Sequence, residues 1–150
     1  GMGGINAYEV GSTTSTPVHI YAGGVLRAVV DPTSGNLAMS GGALGYGSAS
    51  FGAAVQPTSL TANVTINKPS GEIMMFSGIP PGGDVIFIVN NNTVAPGDIV
   101  IAHIKNALTA YSIEAETANA GYFRLRVRNV GGGTYGLPVI NFAVIKVGTA

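Results

Sequence analysis

Short apolar runs separated by turn-forming residues make up most of the C-terminal part of this 150-residue chain. Clusters of Gly, Pro and Asn recur between the runs about every 8–12 residues, which is the spacing of a β-sandwich or a small barrel. No window shows the sustained 3.6-residue periodicity of an amphipathic helix. The sequence therefore predicts an all-β fold and leaves a sandwich or a small barrel open, and our expectation between them is an antiparallel, jelly-roll-like β-sandwich. The predicted strands are 59–67, 72–77, 84–89, 98–105, 110–117, 122–130 and 139–147.

Glycine and charge are distributed unevenly along the chain. The first 57 residues contain 12 of the 23 glycines but only three charged residues, and regular apolar runs begin after them. We therefore predict a glycine-rich N-terminal arm at 1–57, which serves attachment or oligomerisation, and a β-sandwich domain at 58–150. The charged residues of the arm are Glu9, Arg27 and Asp31.

The predicted arm contains local signals of its own. Residues 18–30 predict a β-hairpin, because the central glycines supply the positive φ that a tight hairpin turn requires. Residues 31–36 are rich in turn-forming residues and predict a turn. Residues 40–57 alternate Gly, Ala and Ser with isolated apolar residues, which bury too little surface to offset the entropy of ordering the segment alone. That segment is therefore either a flexible linker or a strap that becomes ordered against partner subunits.

The low charge of the chain excludes several classes of function. Charged residues make up 9% of the sequence and the formal net charge is zero, so the positive surface of a nucleic-acid-binding protein is missing. The absence of cysteine excludes disulfide scaffolds, thiolate metal sites and cysteine nucleophiles. A chain with so little net charge is poorly protected against self-association. We therefore expect a symmetric homo-oligomer.

Hydropathy gives no reason to expect a membrane protein. The longest apolar runs are of strand length, far short of the roughly 18 residues of a membrane span. The opening residues lack the basic start and apolar stretch of a signal peptide. We expect synthesis in the cytoplasm, no signal peptide and no insertion into a membrane.

The strands can be assigned faces from their alternation. Along 122–130, three arginines alternate with apolar residues, and 110–117 alternates in the same way. Pairing around a three-residue turn places Glu114 opposite Arg124 and Ser112 opposite Arg126, so that the two polar faces coincide. By contrast, 85–89 and much of 139–147 are apolar on both faces. Such strands predict a second burial surface, and hence a subunit interface.

Two sets of residues are candidates for ligand binding. The stripe of Arg124, Arg126 and Arg128 has the charge to bind an anionic sugar or phosphate, but it also fits a solvated face neutralised by glutamates. Asn91 and Tyr135 are of the types that sugar-binding loops favour, yet the same residues commonly form turns and sheet surface. Both alternatives stay open for each set.

The sequence offers no catalytic, cofactor or metal site that we would assign. His19 and His103 are far apart in the chain and isolated, whereas a metal site needs three or four converging ligands. On a three-fold axis His103 would meet its symmetry mates, which is a minor alternative. Glu114 and Glu116 point the same way on one strand, but no local aromatic cleft makes them a glycosidase pair. We predict no enzyme activity, no cofactor and no metal.

One long stretch resembles a segment of tailed-bacteriophage virion proteins, in which a glycine-tyrosine-glycine stretch precedes a "T-x-N-K-P-x-G-x-I" strand and turn. The resemblance covers roughly residues 43–147, and the N-terminal 40 residues match less clearly. It implies a phage or prophage structural component of the tail-fibre, head-fibre or decoration type, with a β-sandwich, a trimeric assembly and no catalysis. Its partners would be other copies of the chain, other virion proteins and, in the alternative of a receptor-recognition module, a host surface glycan. The matching segments are 45–48, 55–59, 64–73, 87–91, 123–130 and 139–146.

Overall fold

The computed structural model of the chain is all-β, as the sequence predicts, and describes residues 17–31, 33–34, 36–40, 44–106 and 110–147. Across these residues there is no α-helix, and a 3-10 turn lies at Ser48–Ser50. The strands form three sheets. They are β1 (Val18–Ala22), β2 (Val25–Val30), β3 (Leu37–Met39), β4 (Phe51–Val55), β5 (Val64–Thr65), β6 (Ser70–Met74), β7 (Asp84–Asn90), β8 (Ile99–Ile104), β9 (Tyr111–Asn119), β10 (Tyr122–Asn129) and β11 (Val139–Ile145).

The chain divides into two compact units, Gly1–Gly45 and Tyr46–Ala150. The second unit begins earlier than the boundary that we predicted after residue 57. The physical reason is β4, which the sequence did not reveal as a strand and which pairs with β6. Several parts of the predicted arm lie outside the described residues, namely 1–16, 32, 35 and 41–43.

The first unit contains an antiparallel sheet of order β1-β2-β3. The predicted hairpin is confirmed, and its turn residues Gly23 and Gly24 have φ values of 60° and 76°. The described residues of the predicted turn also behave as expected, because Asp31 Oδ1 accepts hydrogen bonds from the backbone N–H groups of Thr33 and Ser34. Among the described residues of this unit, Ala28 is the one buried apolar side chain.

The second unit is a β-sandwich of two four-stranded sheets. We call the sheet of order β5-β7-β10-β9 the arginine sheet and the sheet of order β4-β6-β11-β8 the isoleucine sheet. The pairs β7–β10, β10–β9, β6–β11 and β11–β8 are antiparallel. The edge strands β4 and β5 instead run parallel to their neighbours, so both sheets are mixed rather than wholly antiparallel.

The core lies between the two sheets and draws side chains from both. Phe123 of the arginine sheet and Phe142 of the isoleucine sheet are buried, and their ring centroids are 5.1 Å apart. Leu125 and Ile140 beside them are fully buried. Alternation along β10 and β11 therefore turns every second side chain inward, as a half-buried strand requires. The buried core cluster comprises Val64, Ile66, Ile73, Met75, Ile79, Phe87, Val89, Val94, Tyr111, Phe123, Leu125, Val127, Ile140, Phe142 and Val144.

The first predicted strand of the sandwich is much shorter than expected. Of residues 59–67, only Val64–Thr65 pairs as a strand. The buried side chain of Gln56 explains the difference, because its Nε2 donates to the backbone carbonyls of Leu60 and Ala62 at 3.0 and 3.1 Å. Its Oε1 accepts from the N–H of Phe76 at 3.1 Å. These bonds hold the segment before β5 in a turn.

Candidate functional site

The outer surface of the isoleucine sheet is the strongest candidate for a functional site, and we call it the apolar face. Strand register places apolar side chains of β4, β6, β11 and β8 side by side on it. Soluble monomers rarely expose a contiguous apolar patch of this kind, and large ones mark interaction sites. The exposed large members, with their exposed fractions, are Phe51 (48%), Val55 (62%), Met74 (39%), Ile99 (53%), Ile101 (53%) and Ile145 (47%).

Local sequence pattern produces this face on strand β8. Its residues alternate between exposed and half-buried positions, so Ile99 and Ile101 point outward while Val100 and Ala102 pack against the core. Among the described residues β8 pairs with β11 alone, so it is an edge strand of this sheet. An exposed, apolar edge strand is a site at which proteins associate unless it is covered.

Strand β11 carries the centre of the apolar face. Its inward residues are buried in the core, and its outward residues Val139, Asn141 and Ala143 alternate with them. This pattern is the one that predicted a second burial surface for 139–147. The exposure of the face is an observation of the structure, and its role as a subunit interface remains a proposal.

A row of polar side chains crosses the middle of the apolar face. Register aligns Asn141 with Glu72 on β6 and with His103 on β8. Lys105 donates a hydrogen bond to Glu72 and forms an ion pair with it. Asn141 Oδ1 is buried and has no hydrogen-bond partner among the described residues. Since buried acceptors are normally satisfied, this atom distinguishes the polar row from the two neighbouring rows, whose strand residues are apolar except for Ser70 opposite Ala143.

The outer surface of the arginine sheet, which we call the charged face, has the opposite character. Arg126 contacts the Asp84 carboxylate through two nitrogens. Its Nε lies 3.0 Å from Oδ1 and its Nη2 lies 2.9 Å from Oδ2. Arg128 Nε donates to the same carboxylate at 3.1 Å. The hydrogen bond from Arg126 lowers the pKa of Asp84 below its ordinary value, and the Coulomb attraction of both arginines acts in the same direction.

The glutamates of β9 complete the neutralisation of the charged face. Arg124 lies opposite Glu116 and Arg126 opposite Glu114, and Arg124 Nε is 3.3 Å from Glu116 Oε2. The register that we predicted, with Glu114 opposite Arg124, is wrong by two residues. The physical reason is a tight turn at Ala120–Gly121, where Gly121 has a φ of 82°, together with an irregularity after Tyr122. A shift of two residues keeps the side chains on the same face, so the two polar faces still coincide.

The predicted arginine stripe is thus brought together on one surface, with acidic partners. The three arginines face Asp84, Glu114 and Glu116. This pairing favours the interpretation of the stripe as a solvated surface neutralised by its own carboxylates over its interpretation as a free anion-binding site. Exposed ion pairs of this type contribute little to stability, because solvent screens them. Ile86 and Ile88, which we predicted as part of a doubly apolar strand, lie beside Arg126 and Arg124 on this face.

The structure gives Asn91 a structural role within a turn. Its side chain is fully buried, and its Nδ2 donates to the carbonyl of Lys68 at 2.7 Å. Its Oδ1 accepts from the backbone N–H and the hydroxyl of Thr93, at 2.9 and 2.7 Å. A side chain engaged in this way does not face solvent, where a sugar would bind.

Tyr135 is on the surface, in a loop that a buried asparagine holds in place. Its ring is 40% exposed and lies edge-on to Tyr111, with centroids 6.1 Å apart. A Cβ on Gly131 would come within 2.8 Å of the Tyr135 hydroxyl, so the glycine leaves room for the ring in this position. No described contact connects Tyr135 with Asn91 or with the arginine stripe, so the structure does not join them into one site.

Buried polar residues are what sequence reasoning missed. Asn129 Nδ2 donates to the carbonyls of Ile79 and Gly133 at 2.7 and 2.8 Å, while its Oδ1 accepts from the N–H of Gly131 at 2.9 Å. It therefore shapes the loop that carries Tyr135. An asparagine that ends a strand just before a glycine run is the available signal, since asparagine often bonds to nearby backbone in turns.

Asp98 is a second buried polar group that the sequence did not single out. Lys146 Nζ donates to its Oδ2 at 2.6 Å and to the carbonyl of Thr93 at 2.7 Å. The hydrogen bond from Lys146, and next the one from the N–H of Ala95, lower the pKa of Asp98 below its ordinary value. The Lys146–Asp98 ion pair connects the end of β11 to the turn before β8, so it stabilises the isoleucine sheet.

In the part of the chain that the structure describes, no three His, Asp or Glu side chains are grouped so that they could hold a metal ion. Within the same residues, no helix has the length and the apolar character that crossing a membrane would require.

Comparisons of the chain with models of protein families, with curated proteins and with solved structures found no match. The fold and the site define the chain as an all-β sandwich protein with one apolar and one charged outer face.

Proposed function

We propose that this chain is a non-enzymatic structural protein of a bacteriophage or prophage virion, which assembles as a homo-oligomer of fibre or decoration subunits. The apolar face is the observation that carries this proposal. Six large apolar side chains on it are exposed in the single chain, and a virion component buries such a surface against other copies. The resemblance of residues 43–147 to virion proteins supports the same conclusion and favours a trimer.

The charge balance supports self-association rather than binding to a charged partner. The formal net charge is zero, so copies of the chain do not repel one another strongly. On the charged face the arginines already have carboxylate partners. The same pairing supports a non-enzymatic role, because Glu116 is engaged by two arginines, Arg124 Nε at 3.3 Å and Arg126 Nη1 at 3.9 Å.

Light scattering with matched variants tests the assembly part of this proposal. We expect the natural chain to show a multiple of its 15.1 kDa mass, and Ile101→Glu on the apolar face to reduce it to a single chain, because a charge would be buried in the interface. Ile86→Glu makes the same change on the charged face, beside Arg126, and should leave the oligomer intact. A natural chain that stays at 15.1 kDa at every concentration, or equal dissociation by both variants, would contradict the proposal.

Gene neighbourhood tests the virion part. We expect the gene to lie among the capsid or tail genes of a phage or prophage. Capsid neighbours would favour head decoration, and tail neighbours would favour a fibre. A location apart from any virion genes would count against the proposal.

A carbohydrate-binding receptor-recognition module is the second candidate, and the exposed ring of Tyr135 favours it. Aromatic faces that are partly exposed and held rigidly are suitable for stacking on sugars. A glycan array should show binding that Tyr135→Ala abolishes. Asn91→Ala should act through loss of folding, because Asn91 is buried. Unchanged glycan binding by a folded Tyr135→Ala variant would exclude this role for Tyr135.

A further inference from the structure

We infer that one end of the charged face is a binding site for a neutral oligosaccharide, formed by uncharged polar side chains around a tyrosine ring. Strand register places one residue from each strand of the arginine sheet side by side at this end, and we call them the amide row. This inference goes beyond the proposed function, because an assembled virion protein does not require such a site. The members of the amide row are Thr65 on β5, Asn90 on β7, Tyr122 on β10 and Asn119 on β9.

Alternation along the strands turns the amide row outward. Val89 on β7 and Phe123 on β10, which adjoin the row in sequence, are fully buried, and successive side chains point to opposite faces of a sheet. Thr65 and Asn90 are accordingly exposed, while Tyr122 is half-buried. Directly opposite side chains on antiparallel strands are about 4.5–5.5 Å apart. One ligand can therefore contact the tyrosine ring and the polar groups beside it.

Backbone hydrogen bonds hold the segments at this end of the sheet in place. The N–H of Asn91 donates to the carbonyl of Gly121 at 2.8 Å, and the N–H of Gly121 donates to the carbonyl of Val94 at 3.1 Å. The N–H of Ile66 donates to the carbonyl of Asn90 at 3.0 Å. The loop after β7, the turn before β10 and the end of β5 are thus tied to one another. A site whose geometry is fixed in advance has less ordering entropy to lose when it binds.

The chemistry of the amide row suits a sugar. A sugar ring offers C–H groups that pack on an aromatic face, together with hydroxyls that donate and accept hydrogen bonds. Carboxamides also donate and accept, so they can pair with either side of a hydroxyl. Asn90 Nδ2 donates to Thr65 Oγ1 at 3.4 Å, a long contact that orients the carboxamide without engaging its Oδ1.

Charge favours a neutral ligand over an anionic one. The four members of the amide row carry no formal charge, and Arg124, which follows Tyr122 on the same face, is paired with Glu116 at 3.3 Å. An anionic sugar would have to compete with this carboxylate for the arginine, whereas a neutral sugar would not. The row crosses four strands, about 14 Å from the first to the last. That length accommodates more than one sugar ring and thus favours an oligosaccharide.

An array of neutral and acidic oligosaccharides, probed with the full chain, tests the site. We expect binding to neutral oligosaccharides that added salt does not weaken, since salt screens interactions between charges. Asn90→Ala and Tyr122→Ala should each lose this binding. Thermal unfolding of both variants shows whether a loss reports binding or unfolding. Asn90 is exposed, so Asn90→Ala keeps the test decisive even where Tyr122→Ala fails to fold.

The chain offers a matched control for each variant. Asn36→Ala removes another exposed asparagine, in the N-terminal unit. Tyr135→Ala removes a tyrosine at the other end of the sheet, because Tyr135 contacts Tyr111 and Tyr111 pairs with Asn129, the last residue of β10. Both controls should keep the binding that the amide row provides.

The outcomes separate this inference from the proposed function. The inference is overturned by an absence of binding to every neutral oligosaccharide, or by binding that both folded variants, Asn90→Ala and Tyr122→Ala, retain. Binding that is confined to acidic oligosaccharides and lost at high salt would overturn it in favour of the arginine stripe. Binding that Tyr135→Ala alone removes would overturn it in favour of the Tyr135 site. Assembly is measured separately by light scattering, where Asn90→Ala should keep the mass of the natural chain, because the amide row and the apolar face belong to different sheets.

Discussion

The two outer faces of the sandwich share one core and differ in almost everything else. The charged face carries three arginines opposite three carboxylates, whereas the apolar face carries six exposed large apolar side chains around a central polar row. Both faces come from strands with the same inward alternation. The comparison teaches that the inward half of each strand determines the fold, and that the outward half is free to determine association.

A second contrast, with the N-terminal unit, sharpens this lesson. Within its described residues that unit buries one apolar side chain, Ala28, while Ile20, Tyr21 and Leu37 are 47–59% exposed. A sheet of three strands needs an apolar face packed against another layer to be stable on its own. In the sandwich the two sheets cover each other's inner faces, so the outer apolar face is not needed to form the core.

The largest expected effect comes from the core that both faces share. Phe142→Ala should lower the free energy of unfolding by about 3–5 kcal/mol, the usual cost of removing a buried aromatic side chain. Denaturant unfolding at low protein concentration measures it. Phe51→Ala is the matched control, because that ring is 48% exposed on the apolar face. An equal decrease in the free energy of unfolding for both variants would show that Phe51 belongs to the core, and would contradict the distinction between the core and the apolar face.

A smaller effect is expected beneath the apolar face, where β4 and β6 approach closely. A Cβ at Gly71 would lie 2.7 Å from the carbonyl oxygen of Gly52 and 2.9 Å from Phe142 Cε1. Gly71→Ala should therefore cost about 1–3 kcal/mol through overpacking. Gly132→Ala adds the same methyl group where nothing lies within 4 Å, and should be nearly neutral. Thermal unfolding of the two variants compares them, and a neutral Gly71→Ala would contradict the close pairing of β4 with β6.

The smallest effect is expected on the charged face and depends on pH. Hydrogen bonds from Arg126 lower the pKa of Asp84 in the folded protein, so its carboxylate stabilises the fold above its unfolded pKa of about 3.9. That contribution is lost as the pH falls through the lowered folded pKa. Asp84→Asn should thus be less stable than the natural chain at neutral pH and should approach it in acid. Unfolding free energies measured from neutral pH to acid test this, with Ser112→Ala as a control whose difference should not vary with pH.

Much of the fold could be predicted from the sequence, because alternation and turn chemistry are local. The positions of β7, β10 and β11 and the hairpin around Gly23 were predicted closely for this reason. Strand β4 was missed because its residues, FGAAV, look like the rest of a Gly- and Ala-rich segment. Its pairing with β6 depends on a close approach at Gly71 that no local pattern reveals.

The candidate site was predictable only in part. The sequence indicated that 139–147 has two apolar faces, and it identified the arginine stripe. It did not indicate that Asn91 is buried, because an asparagine in a turn has the same local signature whether it faces solvent or the interior. The roles of Gln56, Asn129 and Asp98 were also missed, since each bonds to backbone or side chains that only the folded chain brings near.

The sequence by itself determined that the chain is all-β, where its main strands lie and which side chains share a face, since these follow from the two-residue period of a strand. Only the tertiary structure decided which strands are neighbours, the register of Arg124 against Glu116, and the parallel pairing of the edge strands β4 and β5. It also decided that Phe51, Met74, Ile101 and Ile145, from four separate strands, lie on one surface. The physical reason is that pairing between strands depends on the packing of the whole core and on buried polar groups such as Gln56, whose partners are distant along the chain.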